Sequence, residues 1–374
     1  MSKHGRILVA MSGGIDSSLA AVMLHEEGYE VIGMTMKTWD YASSGGTKKE
    51  TGCCSLDSIN DARNISVSLG FPHYILDIRS EFGDAVIDHF TGEYIEGRTP
   101  NPCVLCNTHI KWDALLRRAD RLDCEFIATG HYANIRQDTE GPSAGRYVIS
   151  KGVDTLKDQS YVLWGVSQES LSRTKLPLGH LRKSEIRDMA TDRGFIELVT
   201  KSESYEICFV PDNDYRGFLK RRIPTLEAEV AGGNFVEEGT GRILGKHEGY
   251  PFYTIGQRKG LGMAFGKPMF VTEIRKETNE VVLGVDTDLF RDGMMVSKLN
   301  LQKYARITEP LDTVTRVRYK DPGTRAIVTQ TGDDQIEVLF EQGVSAIAPG
   351  QAAVFYEGND VVGGGWIMKS FRQK

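Results

Sequence analysis

The segment Arg6–Ser18, RILVAMSGGIDSS, constrains the fold more than any other stretch of the chain. RILVA (Arg6–Ala10) reads as a buried strand. A helix is expected from about Ser17 to Glu27, with Gly28 at its C-cap. Between them, Ser12-Gly13-Gly14-Ile15-Asp16-Ser17 must turn sharply. Two glycines let the backbone approach an anion closely, and the helix start supplies free N–H groups and a positive dipole end. Ser12 and Ser17 add hydroxyl donors, whereas Asp16 helps only if Mg²⁺ bridges it to phosphates. The loop lacks the Gly-Lys-Ser/Thr ending of a Walker A sequence and the G-x-G-x-x-G spacing of a dinucleotide fingerprint. A tight turn that merely starts a helix is the bland alternative.

Further strands are expected at Val31–Met36, His73–Ile78 and Glu125–Thr129, and helices at Asp57–Leu69, closed by Gly70, and Ile110–Leu122. Thr38–Gly52 reads as a polar, Gly-rich mobile loop. Alternating strands and helices define an α/β domain whose parallel sheet carries helices on both faces. Its ligands bind at the carboxyl ends of strands, where the Ser12–Ser17 loop and Gly130-His131 both fall. The pattern changes near residue 210. Asp212–Arg222 looks like a short basic helix, and a Gly-rich region runs on to Pro268. From Met269 the chain reads as hairpins turning at Thr278-Asn279, Gly332-Asp333 and Gly358-Asn359, which implies a C-terminal all-β barrel. At roughly 150 residues per domain, 374 residues allow two or three. The division expected is 1–210 catalytic, 211–280 central and 281–374 barrel.

Hydrophobic and charged shares of 40% and 26% are those of a soluble globular protein. No stretch approaches the ~20 apolar residues of a membrane span. The N-terminal apolar run is too short for a secretory signal, so a cytoplasmic location is expected. With a net charge of −6, an RNA partner would need local basic patches. Arg216, Lys220, Arg221 and Arg222 form one candidate, Arg258 and Lys259 another; solvated surface charge fits each equally well.

Six cysteines in such a chain point to metal or thiol chemistry rather than a disulfide framework. Cys103-Val104-Leu105-Cys106 opens a helix behind Pro100 and Pro102, where the helix dipole is expected to lower a thiol pKa. One C-x-x-C pair is too few for a structural zinc site. Two inert thiols at a helix start remain the alternative. Cys208 follows in Ser204–Phe209, Cys124 reads as core, and Cys53 and Cys54 are given no role.

The loop string resembles the PP-loop ATP pyrophosphatases, which implies attack at the α-phosphate and release of pyrophosphate. Taken with GMTMKTW, GRTPNPC, LCN, ATGHYA, KDQSYVLW, GFLKRRI, YTIGQRKGLG, RVRYK and PGQAAVFY, in that order, the chain resembles the tRNA-specific 2-thiouridylases over its whole length. The resemblance implies a PP-loop domain, a small central domain and a C-terminal β-barrel. ATP would adenylate the uracil C2 oxygen of the anticodon wobble uridine, and sulfur would displace AMP. Cys106 then matches the nucleophile and Cys208 the persulfide carrier, with a transient disulfide between thiols. Ala10, Met11, Ser12, Gly13, Gly14, Ile15, Asp16, Ser17, Met36 and Gly130 match ATP contacts, with Mg²⁺ held through Asp16. Asn101, Pro102, Cys103, His131, Lys157, Asp158, Gln159, Arg318, Tyr319 and Gln351 match tRNA contacts. Without the resemblance, Lys157–Gln159 reads as an exposed polar turn. Partners implied are glutamate, lysine and glutamine tRNAs and a cysteine desulfurase or sulfur-relay protein. The family's usual residue at Cys103 is an aspartate giving acid–base help, so Cys103, Cys106 and Cys208 offer a second route, ligation of a [4Fe–4S] cluster. Other PP-loop enzymes, or a non-catalytic tRNA-binding or thiol-redox protein, are the competing readings.

Overall fold

The computed structural model describes residues 2–39, 55–201, 207–210 and 212–373. Cys53 and Cys54, with the rest of the expected loop beyond Trp39, lie outside these residues, as do Ser204, Tyr205 and Glu206. Strands run in chain order as β1 (Arg6–Ala10), β2 (Glu30–Lys37), β3 (His73–Asp77), β4 (Phe126–Ala128), the hairpin β5 (Ala133–Gln137) and β6 (Tyr147–Lys151), and β7 (Thr174–Lys175). A parallel five-stranded sheet has the order β3-β2-β1-β4-β7. Strand β1 is central and buried on both sides, which is why its sequence is an unbroken apolar run instead of an alternating one. Ile7 and Val9 join helices α1 (Ile15–Glu27) and α2 (Leu56–Leu69) in one core, while Leu8 joins Trp112, Leu115 and Ala119 in another. The helix ends obey the expected chemistry. Gly28 and Gly70 close α1 and α2 in the left-handed region at φ 101° and 76°.

Helix α3 (79–95) contains a π turn at Gly83–Ile87, and α4 (102–121) contains another at Asn107–Lys111. The expected helix at Ile110–Leu122 is thus the second half of a longer one that begins at Pro102. The wide turn directly after Cys106 offsets the two halves, a feature often found beside functional residues.

Beyond the first domain, β8 (Asn234–Glu237), β9 (Ile243–Lys246), β10 (Phe270–Arg275) and β11 (Glu280–Gly284) form a four-stranded sheet in the order β10-β11-β8-β9. The hairpin turning at Thr278-Asn279 therefore belongs to this sheet and not to the barrel, because β11 pairs in parallel with β8. The sheet continues past the boundary expected at 280. Strands β12 (Phe290–Leu301), β13 (Leu311–Arg316), β14 (Thr324–Gly332), β15 (Gln335–Ser345), β16 (Ala352–Glu357) and β17 (Asp360–Phe371) make a closed barrel, with β12 pairing to β17. No helix among the described residues is long and apolar enough to cross a membrane.

The barrel is joined to the first domain by the β5–β6 hairpin, which extends the barrel sheet through Asp360 opposite Ser150. Arg136 of β5 donates to both carboxylate oxygens of Asp360 at 2.7 and 2.8 Å, and Lys303 donates to the same carboxylate at 2.9 Å. The Arg136 guanidinium holds the Asp360 carboxyl down at about 2. A folded value below the unfolded one means that this stabilisation is complete above about pH 4 and is lost as pH falls toward 2. Asp360→Asn is expected to lower stability by about 1–2 kcal/mol, discounted because Arg136 is partly solvated. Denaturant midpoints at pH 7 and pH 3 check this, the difference between variant and wild type shrinking at the lower pH.

Candidate active site

The Ser12–Ser17 loop closes on itself. Ser12 N–H donates to Ser17 Oγ at 2.9 Å, the two hydroxyls lie 3.1 Å apart, and Ser17 Oγ donates to the Gly14 carbonyl. Gly13 sits at φ +69° with its α-carbon against α2; a Cβ there would lie 1.9 Å from the Ser58 carbonyl oxygen. Only glycine fits. Gly130 is pressed on the other side, where a Cβ would come within 2.8 Å of the backbone of Asp16 and Ser17. Of the other expected ATP contacts, Met11 is buried, with its carbonyl accepting from Thr35 Oγ1 at 2.7 Å, and Ala10 and Met36 are half-buried at the carboxyl ends of β1 and β2. Ile15 begins α1 and is buried.

Asp16 is already engaged. Lys183 Nζ lies 2.6 and 2.7 Å from its two carboxylate oxygens, and the Tyr132 hydroxyl donates to one of them at 2.5 Å. Lys183 is 5% exposed. An ammonium buried so deeply requires a counter-charge, and Asp16 is it. The loop therefore offers a metal ion one carboxylate, shared with Lys183. That suits a Mg²⁺ ion carried mainly by phosphate oxygens. Lys183 escapes the sequence reading because LRKSEIR looks like an ordinary charged helix start, and burial of its lysine is set by distant partners.

The next turn reaches the helix that carries the thiols. His131 follows Gly130, shares a 2.7 Å hydrogen bond between its Nδ1 and Thr129 Oγ1, and packs its ring 5.7 Å from that of Trp112 in α4. Helix α4 carries both cysteines. Its start is capped by Asn101, whose Oδ1 accepts from Val104 N–H, and Pro102 occupies the first turn. Cys106 is buried in a core cluster that also contains Leu105, Phe209 and Val210, so the exposed Cys208 is anchored by its own neighbours to the core of Cys106. Cys124 is buried, as expected.

Cys103 departs from expectation. The residue is exposed, yet enough protein surrounds its thiol that desolvation is the leading influence and pushes it up, only partly opposed by Lys111. Accessible but desolvated is the condition of a cleft floor. Desolvation raises the thiol, so the low pKa expected at this helix start is not found. No group of three or more His, Cys, Asp or Glu side chains among the described residues is disposed to hold a metal ion. Cys103, Cys106 and Cys208 do not form a cluster-ligand set in this arrangement.

Several expected tRNA contacts also hydrogen-bond within the protein. Asp158 is buried and accepts from Gly152 N–H, Ser160 N–H and Ser160 Oγ at 3.0–3.1 Å, with Arg316 at 3.3 Å. Gln159 exchanges two hydrogen bonds with the backbone of Tyr132, at 3.0 Å through its side chain and 2.9 Å through its N–H. Gln351 donates to the carbonyls of Thr99 and Pro100, 3.2 and 2.8 Å away, and so straps the approach to the C-x-x-C helix onto the barrel. Lys157 is half-buried, while Arg318 and Tyr319 remain exposed on the barrel side, with Tyr319 Oη donating to the Asp158 carbonyl. The basic helix at Tyr215–Arg222 is largely neutralised. Lys220 pairs with Glu227, Arg221 with Asp212, and Arg222 with Asp88, leaving a weaker patch than its sequence suggests. A cavity of about 620 Å³ lies elsewhere, lined by Glu96, Arg98, Thr272, Lys276, Met368 and Arg372, and contains none of these groups.

Comparison with known proteins agrees with this organisation. Residues 5–212 match the tRNA methyl transferase HUP domain, 216–285 the tRNA methyl transferase PRC-barrel domain, and 291–367 the aminomethyltransferase beta-barrel domain. The chain is 70% identical over 374 residues to a tRNA-specific 2-thiouridylase of Cytophaga hutchinsonii, covering 100% of both chains. It is 69% identical to one of Amoebophilus asiaticus, covering 99% and 97%, and 55% identical to one of Salinibacter ruber, covering 98% and 95%. A nucleotide-loop α/β enzyme with two accessory β domains is the class so defined. The chain belongs to the tRNA-specific 2-thiouridylase family.

His131 provides a direct check on the cleft. Burial, reinforced by the Lys111 charge, lowers its imidazole to about 3. The folded value lies below the ~6.5 of an unfolded histidine, so its contribution is intact above about pH 6.5 and stability declines as pH falls below that. The His131 Cε1 proton is expected to show no titration between about pH 5 and 8. A midpoint near 6.5 would contradict an enclosed site.

Proposed function

We propose that this protein thiolates the C2 position of the anticodon wobble uridine in tRNA, using ATP, where the Ser12–Ser17 loop meets the cysteine-bearing helix. The observation that carries the reading is the Gly130-His131 turn, which abuts the Asp16–Ser17 backbone on one side and Trp112 of the cysteine helix on the other. One turn thus touches both the phosphate loop and the element that bears the thiols. Methyl transfer, the activity in two of the matched domain descriptions, finds less support, since a phosphate loop beside two thiols suits activation and sulfur transfer.

Uracil C2 is a poor electrophile until its oxygen is made a leaving group. The uracil oxygen attacks the α-phosphorus of ATP and pyrophosphate departs, its charge met by loop N–H groups and Lys183. A Mg²⁺ ion held through Asp16 would supply further positive charge there. Cys208, which is exposed, carries the incoming sulfur as a persulfide delivered by a cysteine desulfurase or relay protein. The Cys106 thiolate attacks the Cys208 sulfur and the freed sulfur attacks C2, so that AMP leaves with the former uracil oxygen. A Cys106–Cys208 disulfide remains, and an external thiol reduces it. Cys103 sits beside this chemistry as a neutral thiol. Neutral His131 contacts the tRNA by hydrogen bonding or stacking rather than by charge. Arg318 and Tyr319 contact the tRNA from the barrel side, and glutamate, lysine and glutamine tRNAs are the substrates.

Cys106→Ser is expected to release pyrophosphate when given ATP and tRNA but to form no 2-thiouridine, a loss of at least about 10³-fold, as for removal of a nucleophile. Nucleoside analysis by mass spectrometry, alongside pyrophosphate release, checks this. Retained thiolation would remove Cys106 from its role. Asp16→Ala is expected to weaken Mg·ATP binding by about tenfold or more, because it removes the loop carboxylate through which Mg²⁺ would be held; calorimetric titration reads this directly.

A further inference from the structure

Leu156 is 92% exposed, the highest value among the large hydrophobic side chains of the described residues. An isolated exposed leucine is ordinary. This one is held out by a backbone that is fixed around it. Asp154 accepts from Leu156 N–H at 3.1 Å and from Lys183 N–H at 2.9 Å, and its carbonyl accepts from Lys157 N–H at 3.0 Å. The loop base is tied down by the buried Asp158. The tip is therefore coupled through Lys183 to Asp16, the carboxylate of the nucleotide loop. On its barrel side, Tyr319 donates its hydroxyl to the Asp158 carbonyl and is 41% exposed as a residue, flanked in sequence by exposed Arg318 and Lys320.

A rigid apolar tip beside an exposed aromatic ring and two cations fits RNA better than it fits a protein. Cations meet phosphates, and apolar and aromatic groups take the faces of unstacked bases. The reaction also demands it: the target uridine must leave the anticodon stack, which costs a few kcal/mol. We infer that Leu156 is a wedge that enters the anticodon loop beside the target uridine and fills the gap left when that base turns into the site, with Tyr319 as the stacking platform. It acts as a positioning residue, touching the neighbouring base rather than the reacting atoms. The inference rests on the thiolation reading and names how that site selects an open anticodon loop.

The test is single-turnover thiolation of a tRNA transcript carrying 2-aminopurine on the 3′ side of the target uridine, with a low-molecular-mass persulfide as sulfur source. Leu156→Ser is expected to lose about tenfold or more in kcat/KM and to lack the fluorescence rise of unstacking, one stacking contact being worth about that factor. Leu156→Met should keep both. A transcript abasic at the neighbouring position should restore most of the Leu156→Ser rate, because it needs no wedge; loss of folding would show no such rescue. Wild-type rate and fluorescence in Leu156→Ser would overturn the inference. So would a deficit seen only when a desulfurase supplies the sulfur, which would make Leu156 a donor-docking residue. If wild type itself makes no 2-thiouridine, it is the functional reading that fails.

Discussion

A buried cation and the half-exposed carboxylate that answers it hold this site together. Lys183 is almost fully buried at the start of its helix, and Asp16 answers it from the nucleotide loop. Removing one member of such a pair leaves the other as an uncompensated charge in a poor solvent, a far larger loss than a surface ion pair represents. Tyr132 adds its hydroxyl to the same carboxylate, and the Lys183 N–H is taken by Asp154. The phosphate loop, the entry to β5 and the 152–160 loop are thereby locked into one unit. Gly130 and His131 are placed by that unit because they immediately precede Tyr132.

The barrel completes the site without contributing a thiol. Thr99 N–H donates to the Pro349 carbonyl, Gln351 holds the Thr99 and Pro100 carbonyls, and Tyr161 Oη donates to the Ala352 carbonyl. Gly350 permits this approach, since a Cβ there would meet the Thr99 carbonyl at 2.8 Å. A distant domain thus sets the position of Asn101 and hence of the helix that presents Cys103 and Cys106. Arg136 and Lys303 on Asp360 secure the other side of the seam.

What the sequence discloses is local. Glycine at a helix end or a tight turn reports its own backbone requirement, so Gly13, Gly28, Gly70 and the hairpin turns are legible. Strand β1 shows its burial on both faces as an apolar run. What it hides is long-range. Lys183 with Asp16 are 167 positions apart, Arg136 with Asp360 are 224, and neither pairing leaves a trace in its neighbours. The same gap explains the misread surfaces: Arg222 looks basic until Asp88 is seen beside it, and Asp158 looks exposed until Arg316 and Ser160 close over it. The hairpin of β5 and β6 passes unnoticed because its strands acquire their meaning only when the barrel docks. At Cys103, the helix start was readable but the surrounding protein, which outweighs it, was not.

The account stands on ATP activation and thiol-borne sulfur transfer sharing one site. The most direct measurement is of metal-free protein given an unmodified glutamate tRNA transcript, Mg·ATP and a persulfide donor, scoring 2-thiouridine on a mercury-retardation gel against pyrophosphate released. The account predicts a retarded band, with one pyrophosphate released for each sulfur gained. A band that appears only after anaerobic reconstitution with iron and sulfide, or sulfur incorporation without pyrophosphate release, would contradict it.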